Sequence, residues 1–180
     1  MGKRKGTHMG YDMKPNINDV AARISSKRVA LTPSVEGGYA ADGVSLIKTL
    51  MSILVCKYGI DNAYRSLADR IRGPFRDAVV EHWHEHAKEE RQAAYDIAMK
   101  VVGLGGDPVI TTVTTPDCGP DLGEFIQLLV NLELDLISKE RQLIEESGDN
   151  TSMKVLGENL VLVDTQHLDD LRRMSYQYVG

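Results

Sequence analysis

Four times along this chain, apolar residues return every three or four positions over a long stretch, and each time a charged group interrupts the stripe near its middle. The first stripe is Leu46, Leu50, Ile53, Lys57, Ile60, Tyr64, Leu67 and Ile71. The second is Val79, Trp83, His86, Glu90, Ala93, Ile97, Val101 and Leu104, and the third is Ile126, Leu129, Glu133, Leu136, Glu140 and Ile144. The fourth is Leu156, Leu160, Val163, His167 and Leu171, with Asp164 beside His167. A period between three and four is that of one helix face, so four long amphipathic helices are expected. Gly73-Pro74 divides the first two, with Pro74 placed in the first turn of the second helix, and "SGDN" joins the last two, with Asn150 or Thr151 as N-cap. Between the second and third lies "DPVITTVTTPDCGP", β-branched, proline-containing and without helical period. Short links require antiparallel neighbours, and one long link is a crossover, so the expected fold class is an all-α antiparallel four-helix bundle with one long crossover between helices 2 and 3.

The bundle should occupy residues 43–178. Residues 1–42, punctuated by Pro15, Pro33, Gly37 and Gly38, read as a largely irregular N-terminal arm with at most a helical turn at "INDVAARI". The 180 residues suit one domain. Aromatics make up only 6%, with one Trp and two Phe, so the core must be aliphatic. No apolar run approaches the roughly 20 residues of a membrane span. "MGKRKGTHMG" lacks the apolar segment of a secretory signal, and two cysteines make no disulfide framework, so a cytoplasmic setting is expected. A net charge of −5 argues against general nucleic-acid binding. The local exception is Lys3, Arg4 and Lys5, which on a glycine-rich tail could touch phosphates.

The breaks in the stripes carry the chemistry. Burying an unpaired charge costs far more than a methyl group contributes, yet Lys57, Glu90, Glu133, Asp164 and His167 all fall on or beside core faces. In an antiparallel bundle mid-helix positions meet at one height. Three carboxylates would then face one lysine and one histidine, two negative charges in excess with His neutral. A single divalent cation would balance them; alternatively Lys57 itself takes a cation's place in a metal-free salt-bridge cluster. Asp164-Thr-Gln-His167 places a carboxylate and an imidazole three apart on one face. The second helix lacks its counterpart: in "EHAKEERQAA", Glu90 is followed three residues later by Ala93, and His82, His84 and His86 all lie upstream.

"EHAKEERQAAYDIAMKVVGLGGDP", then a long loop, then "NLELDLISKERQLIEES" and "VDTQHLDDLRRM" resemble the bacterioferritin and Dps-like (mini-ferritin) branch of the ferritin-like superfamily over residues 43–175. The family's di-iron pattern is Glu on helix 1, Glu-x-x-His on helix 2, Glu on helix 3 and Glu-x-x-His on helix 4. The resemblance puts Glu90 on the second-helix glutamate, Glu133 on the third-helix glutamate and Asp164 with His167 on the fourth-helix pair, Asp standing for Glu. It puts Lys57 on the first-helix glutamate and Ala93 on the second-helix histidine. One metal position therefore loses a carboxylate and an imidazole and gains a positive charge, while the other keeps Glu90, Glu133, Asp164 and His167. The resemblance implies iron as the metal, a degenerate centre of one ion or none, and ferroxidase chemistry that is slow or absent. It also implies self-assembly into a cage, a dodecamer rather than a 24-mer, serving iron storage or detoxification.

His86, one turn before Glu90, is an additional ligand in one reading and a cap on the polar layer in the other, with His82 and His84 exposed. Cys56 and Cys118 are compared with the redox pair of thioferritin-type relatives; as two unrelated thiols they need no role. Two further functions are weighed: a structural or binding descendant in which Lys57 replaces a metal, and Dps-style DNA protection through residues 3–5.

Overall fold

A computed structural model describes residues 39–109 and 113–179. Four helices follow in order: α1 (Tyr39–Ala68), α2 (Arg76–Gly103), α3 (Leu122–Glu146) and α4 (Thr151–Tyr178). Among the described residues there is no strand. The basic cluster at residues 3–5 and the "INDVAARI" turn lie outside the described residues. Helix α1 begins four residues earlier than the expected start of the bundle at 43.

Cross-contacts fix the helix directions. Thr49 meets Glu146, Tyr64 meets Glu133 and Arg70 meets Cys118, so α3 descends as α1 rises. Lys57 meets Glu90 and Tyr64 meets Trp83, which makes α2 antiparallel to α1. His82 meets Asp170 and Lys100 meets Ser152, so α4 runs antiparallel to α2. Helices α2 and α3 are therefore parallel, and the link between them must travel the length of the bundle. A helix of this size is about 40 Å long at 1.5 Å per residue. The connecting segment, residues 104–121, can reach that far when extended at about 3.3 Å per residue. The crossover lies along α1: Asn62 donates to Thr115 at 3.0 Å, and Arg70 donates to the Gly119 carbonyl at 3.2 Å. It passes so close that a Cβ on Gly59 would come within 2.9 Å of Val113.

The helix ends follow local chemistry. Asp121 caps α3 by accepting from the Glu124 amide at 2.9 Å, and Glu124 reaches back to complete a capping box. Of the two N-cap candidates for α4, Asn150 fills the role, accepting from the Met153 amide. Helix α2 stops where Gly105 turns to φ +83, before the proline. Pro74 is not in its first turn: the N-cap is Phe75, and Gly73 at φ +99 has already reversed the chain.

The first stripe is buried along its whole length, every member 4% exposed or less, although Ile71 lies beyond the end of α1. The other stripes drift. Ala94 rather than Ala93 is fully buried on α2, and Leu143 rather than Ile144 on α3. On α4, Val163 is exposed and Asp164 occupies the inward position with Leu160, His167 and Leu171. The segment Gly43–Ala68 is long and apolar enough, by length and composition, to cross a membrane. Here its apolar face is turned into the bundle, with Lys57 and Asp61 buried in its midst.

Candidate metal centre

The five groups that interrupt the stripes meet at one level of the bundle, joined by Glu140. Lys57, Glu90, Glu133, Glu140, Asp164 and His167 are each 2% exposed or less. One ligand atom from each of Glu90, Glu133, Asp164 and His167 lies within 4.8 Å of the others.

The cluster has two halves, and Glu90 joins them. On one side the Lys57 ammonium donates to both oxygens of Asp164, at 2.7 and 2.6 Å, and stands 3.1 Å from Glu90 Oε2 and 3.4 Å from Glu140 Oε1. On the other side His167 Nδ1 lies 3.0 Å from Glu90 Oε1, 3.6 Å from Glu133 Oε1 and 3.9 Å from Asp164 Oδ1. Its Nε2 meets Glu89 at 2.7 Å, toward the surface. Tyr64, fully buried, donates its hydroxyl to Glu133 Oε1 at 2.7 Å.

Protonation follows from this crowding. Burial alone would push the Lys57 amine down, but Glu90, Asp164 and Glu140 more than reverse that and keep it charged. Burial likewise opposes charge on His167, yet Glu133 and Glu90 raise it to about 11. Glu140 is pushed up to about 10 by burial, only partly offset by Lys57 and reinforced by Asp164 and Glu90. Burial and Glu90 also raise Asp164. Burial and the Glu133 carboxylate hold the Tyr64 hydroxyl protonated. With Glu140 protonated and Lys57 and His167 cationic, the formal charges of Glu90, Glu133 and Asp164 exceed theirs by one.

The donor set fits a cation in the His167 half. Both oxygens of Glu90, Glu133 Oε2 and His167 Nδ1 are buried without a directed hydrogen bond, although ion-pair distances are short. Carboxylate oxygens and an imidazole about 3 to 4 Å apart are spaced as the ligands of one ion with bonds near 2.1 Å would be. A divalent ion there, replacing the His167 proton, would bring the cluster to neutrality. The Lys57 half fits no second ion, because the ammonium already occupies the space between Asp164, Glu90 and Glu140. Ala93, partly buried, supplies no ligand.

Glu140 lies on the third stripe but is not one of the five groups assigned to the cluster from the sequence. It stands two turns beyond Glu133 on the same face of α3, and that spacing is the available signal. His86 does not reach the carboxylates of this cluster: its Nδ1 meets Tyr64 Oη at 3.3 Å, and its ring stacks on His167 at 4.1 Å. His82 and His84 are half-buried rather than exposed. Cys56 and Cys118 are both free and have separate neighbours, Asp135 and Arg70. Asp61, also buried, pairs with Arg65 and Arg91.

A four-helix bundle with a long crossover and a carboxylate–histidine layer at its centre defines the ferritin-like class of protein. The ferritin-like domain model matches residues 47–174, and the chain belongs to that family. Among solved structures it is similar to a ferritin-like diiron-carboxylate protein from Bacillus anthracis str. Ames, at 23% identity and TM-score 0.70, covering 74% of this chain and 96% of that one. It is also similar to Rhodobacter capsulatus bacterioferritin, a structure with a metal-free dinuclear site and haem iron, at 18% identity and TM-score 0.67, covering 75% and 86%. The sequence matches no curated protein.

Proposed function

We propose that this chain is an iron-handling ferritin-like protein of the Dps-like kind, whose centre binds one divalent ion per subunit and uses Lys57 as a fixed substitute for the second. The observation that carries the reading is the division of labour at Glu90. One oxygen faces the Lys57 ammonium at 3.1 Å, and the other faces His167 Nδ1 at 3.0 Å within a set of buried, unpartnered ligand atoms. Iron is the ion expected from the family and from an oxygen-rich donor set. With one ion and one ammonium, the centre sequesters iron rather than passing two electrons rapidly to oxygen.

Storage requires assembly into a cage, a dodecamer in preference to a 24-mer. Self-association is supported by an uncovered apolar row on α2, Tyr95, Met99 and Val102, each more than half exposed and spaced to share one face. Anaerobic Fe(II) titration of the full chain, with Glu133→Gln as control, tests the centre, and sedimentation tests the assembly. One more ion per wild-type chain than per control, in a particle of many subunits, is expected. Equal uptake, or a stable monomer, would overturn the reading.

A second reading has its own support: Lys57 and protonated His167 already neutralise most of the cluster. In that case the layer is a metal-free salt-bridge network and the protein a structural or binding descendant. Wild-type and Glu133→Gln chains would then take up iron equally.

A further inference from the structure

Beside the sealed cluster, and opening to the surface, lies a second set of ligands that the iron reading does not use. His82 and His86 are one turn apart on α2, and Asp170 on α4 faces them both. His82 Nε2 is 3.1 Å and His86 Nε2 3.5 Å from the same oxygen, Asp170 Oδ2. The three ligand atoms lie within 4.8 Å of one another. Ligands of a tetrahedral ion with bonds near 2.0–2.1 Å are about 3.3 Å apart, so two of these edges already have that length.

Hydrogen bonding settles which His86 nitrogen is free. Tyr64 donates its only hydroxyl proton to Glu133 Oε1, so its oxygen can only accept from His86 Nδ1. Nδ1 therefore carries the hydrogen, and because burial and the neighbouring His167 keep the ring neutral, Nε2 presents a lone pair. That lone pair faces a carboxylate oxygen at 3.5 Å, two acceptors set against each other on a side chain only 5% exposed. A cation between the two would satisfy both. Asp170 is held for the task from behind: Arg173 pairs with Oδ1 and leaves Oδ2 for the histidines. Outer-shell partners of this kind, a hydroxyl on the imidazole and a guanidinium on the carboxylate, orient the ligands of metal sites. His82, about one-third exposed, is the open side, where water completes four-coordination.

We infer that His82, His86 and Asp170 form a separate site for a borderline divalent ion of the zinc or cobalt type, with water as fourth ligand. Two imidazoles and one carboxylate suit such ions better than the oxygen-rich centre does. The sites share a wall, since His86 stacks on His167, but no ligand.

The test is a Co(II) titration of the full chain, read by the intense visible bands of tetrahedral cobalt, in wild type, His82→Ala, Asp170→Asn and Glu133→Gln, with circular dichroism confirming the helices. Glu133→Gln, which lacks a ligand of the buried centre, should take up one cobalt with tetrahedral bands, and wild type should show the same bands. In the Glu133→Gln background, His82→Ala and Asp170→Asn should lose the bands and bind at least about tenfold more weakly. His82 is the decisive position, because its partly exposed side chain can be removed without opening the core. Bands that persist when His82→Ala is combined with Glu133→Gln, or never form in Glu133→Gln, would overturn the inference. Bands lost in Glu133→Gln but kept in His82→Ala would put the cobalt in the buried centre, overturning this site while supporting the iron reading.

Discussion

Two polar clusters share the middle of this bundle and differ in the quantity that governs a buried charge, access to water. The Lys57 cluster is sealed, with all six members nearly inaccessible. The His82 cluster opens outward, with His82 and Asp170 partly solvated and His86 at its floor. In the sealed cluster every charge needs a protein partner, so removing one strands the rest. In the open cluster water replaces a lost partner at small cost. The same residue types thus serve two ends. Inside, carboxylates and an ammonium hold four helices in register; at the edge, imidazoles face a solvent-accessible ion site.

The contrast is tested hardest at Lys57. Lys57→Met leaves Asp164, Glu90 and Glu140 without their shared cation, and about 3–5 kcal/mol of stability should be lost in urea denaturation at neutral pH. A loss below about 1 kcal/mol would mean that water reaches the cluster. Tyr64→Phe removes a directed donor to Glu133 and should cost about 1–3 kcal/mol, read the same way. Glu140→Gln sharpens the comparison through pH. The folded Glu140 titrates near 10 against an ordinary value of 4.5, so between those limits the native chain keeps a proton that the unfolded chain has released. Stability of the chelator-treated wild type should therefore fall as pH rises through that window, and the decline should be shallower in Glu140→Gln. Parallel profiles would contradict the assignment. The smallest effect belongs to the open cluster: without added metal, Asp170→Asn should change stability by less than about 1 kcal/mol.

Much of the sealed cluster is legible in the sequence, because a charge on an apolar stripe is conspicuous. Lys57, Glu90, Glu133, Asp164 and His167 announce themselves in this way. Glu140 carries the same signal but goes unused when one interruption per helix is taken as sufficient. What the pattern does not convey is reach: the Lys57 side chain extends to Glu140 Oε1 at 3.4 Å, two turns from Glu133 on the same helix. Val163 reads as inward because a stripe counted in threes and fours drifts around a helix by a residue over several turns, and Asp164 in fact holds that face. The first-turn place expected of Pro74 fails because the Gly73 turn postpones the helix by two residues. The pairing of His82 with Asp170 has no local signal. It depends on the relative height of α2 and α4, which the crossover sets and no periodicity encodes.

The account rests on Lys57 standing where a second metal would otherwise be bound, and the iron stoichiometry of Lys57→Glu/Ala93→His tests that most directly. Returning the carboxylate and the imidazole should raise anaerobic Fe(II) uptake at the buried centre from one ion per chain to two. Uptake unchanged from wild type, in a variant that keeps its helices, would show that the lysine does not stand in for a metal.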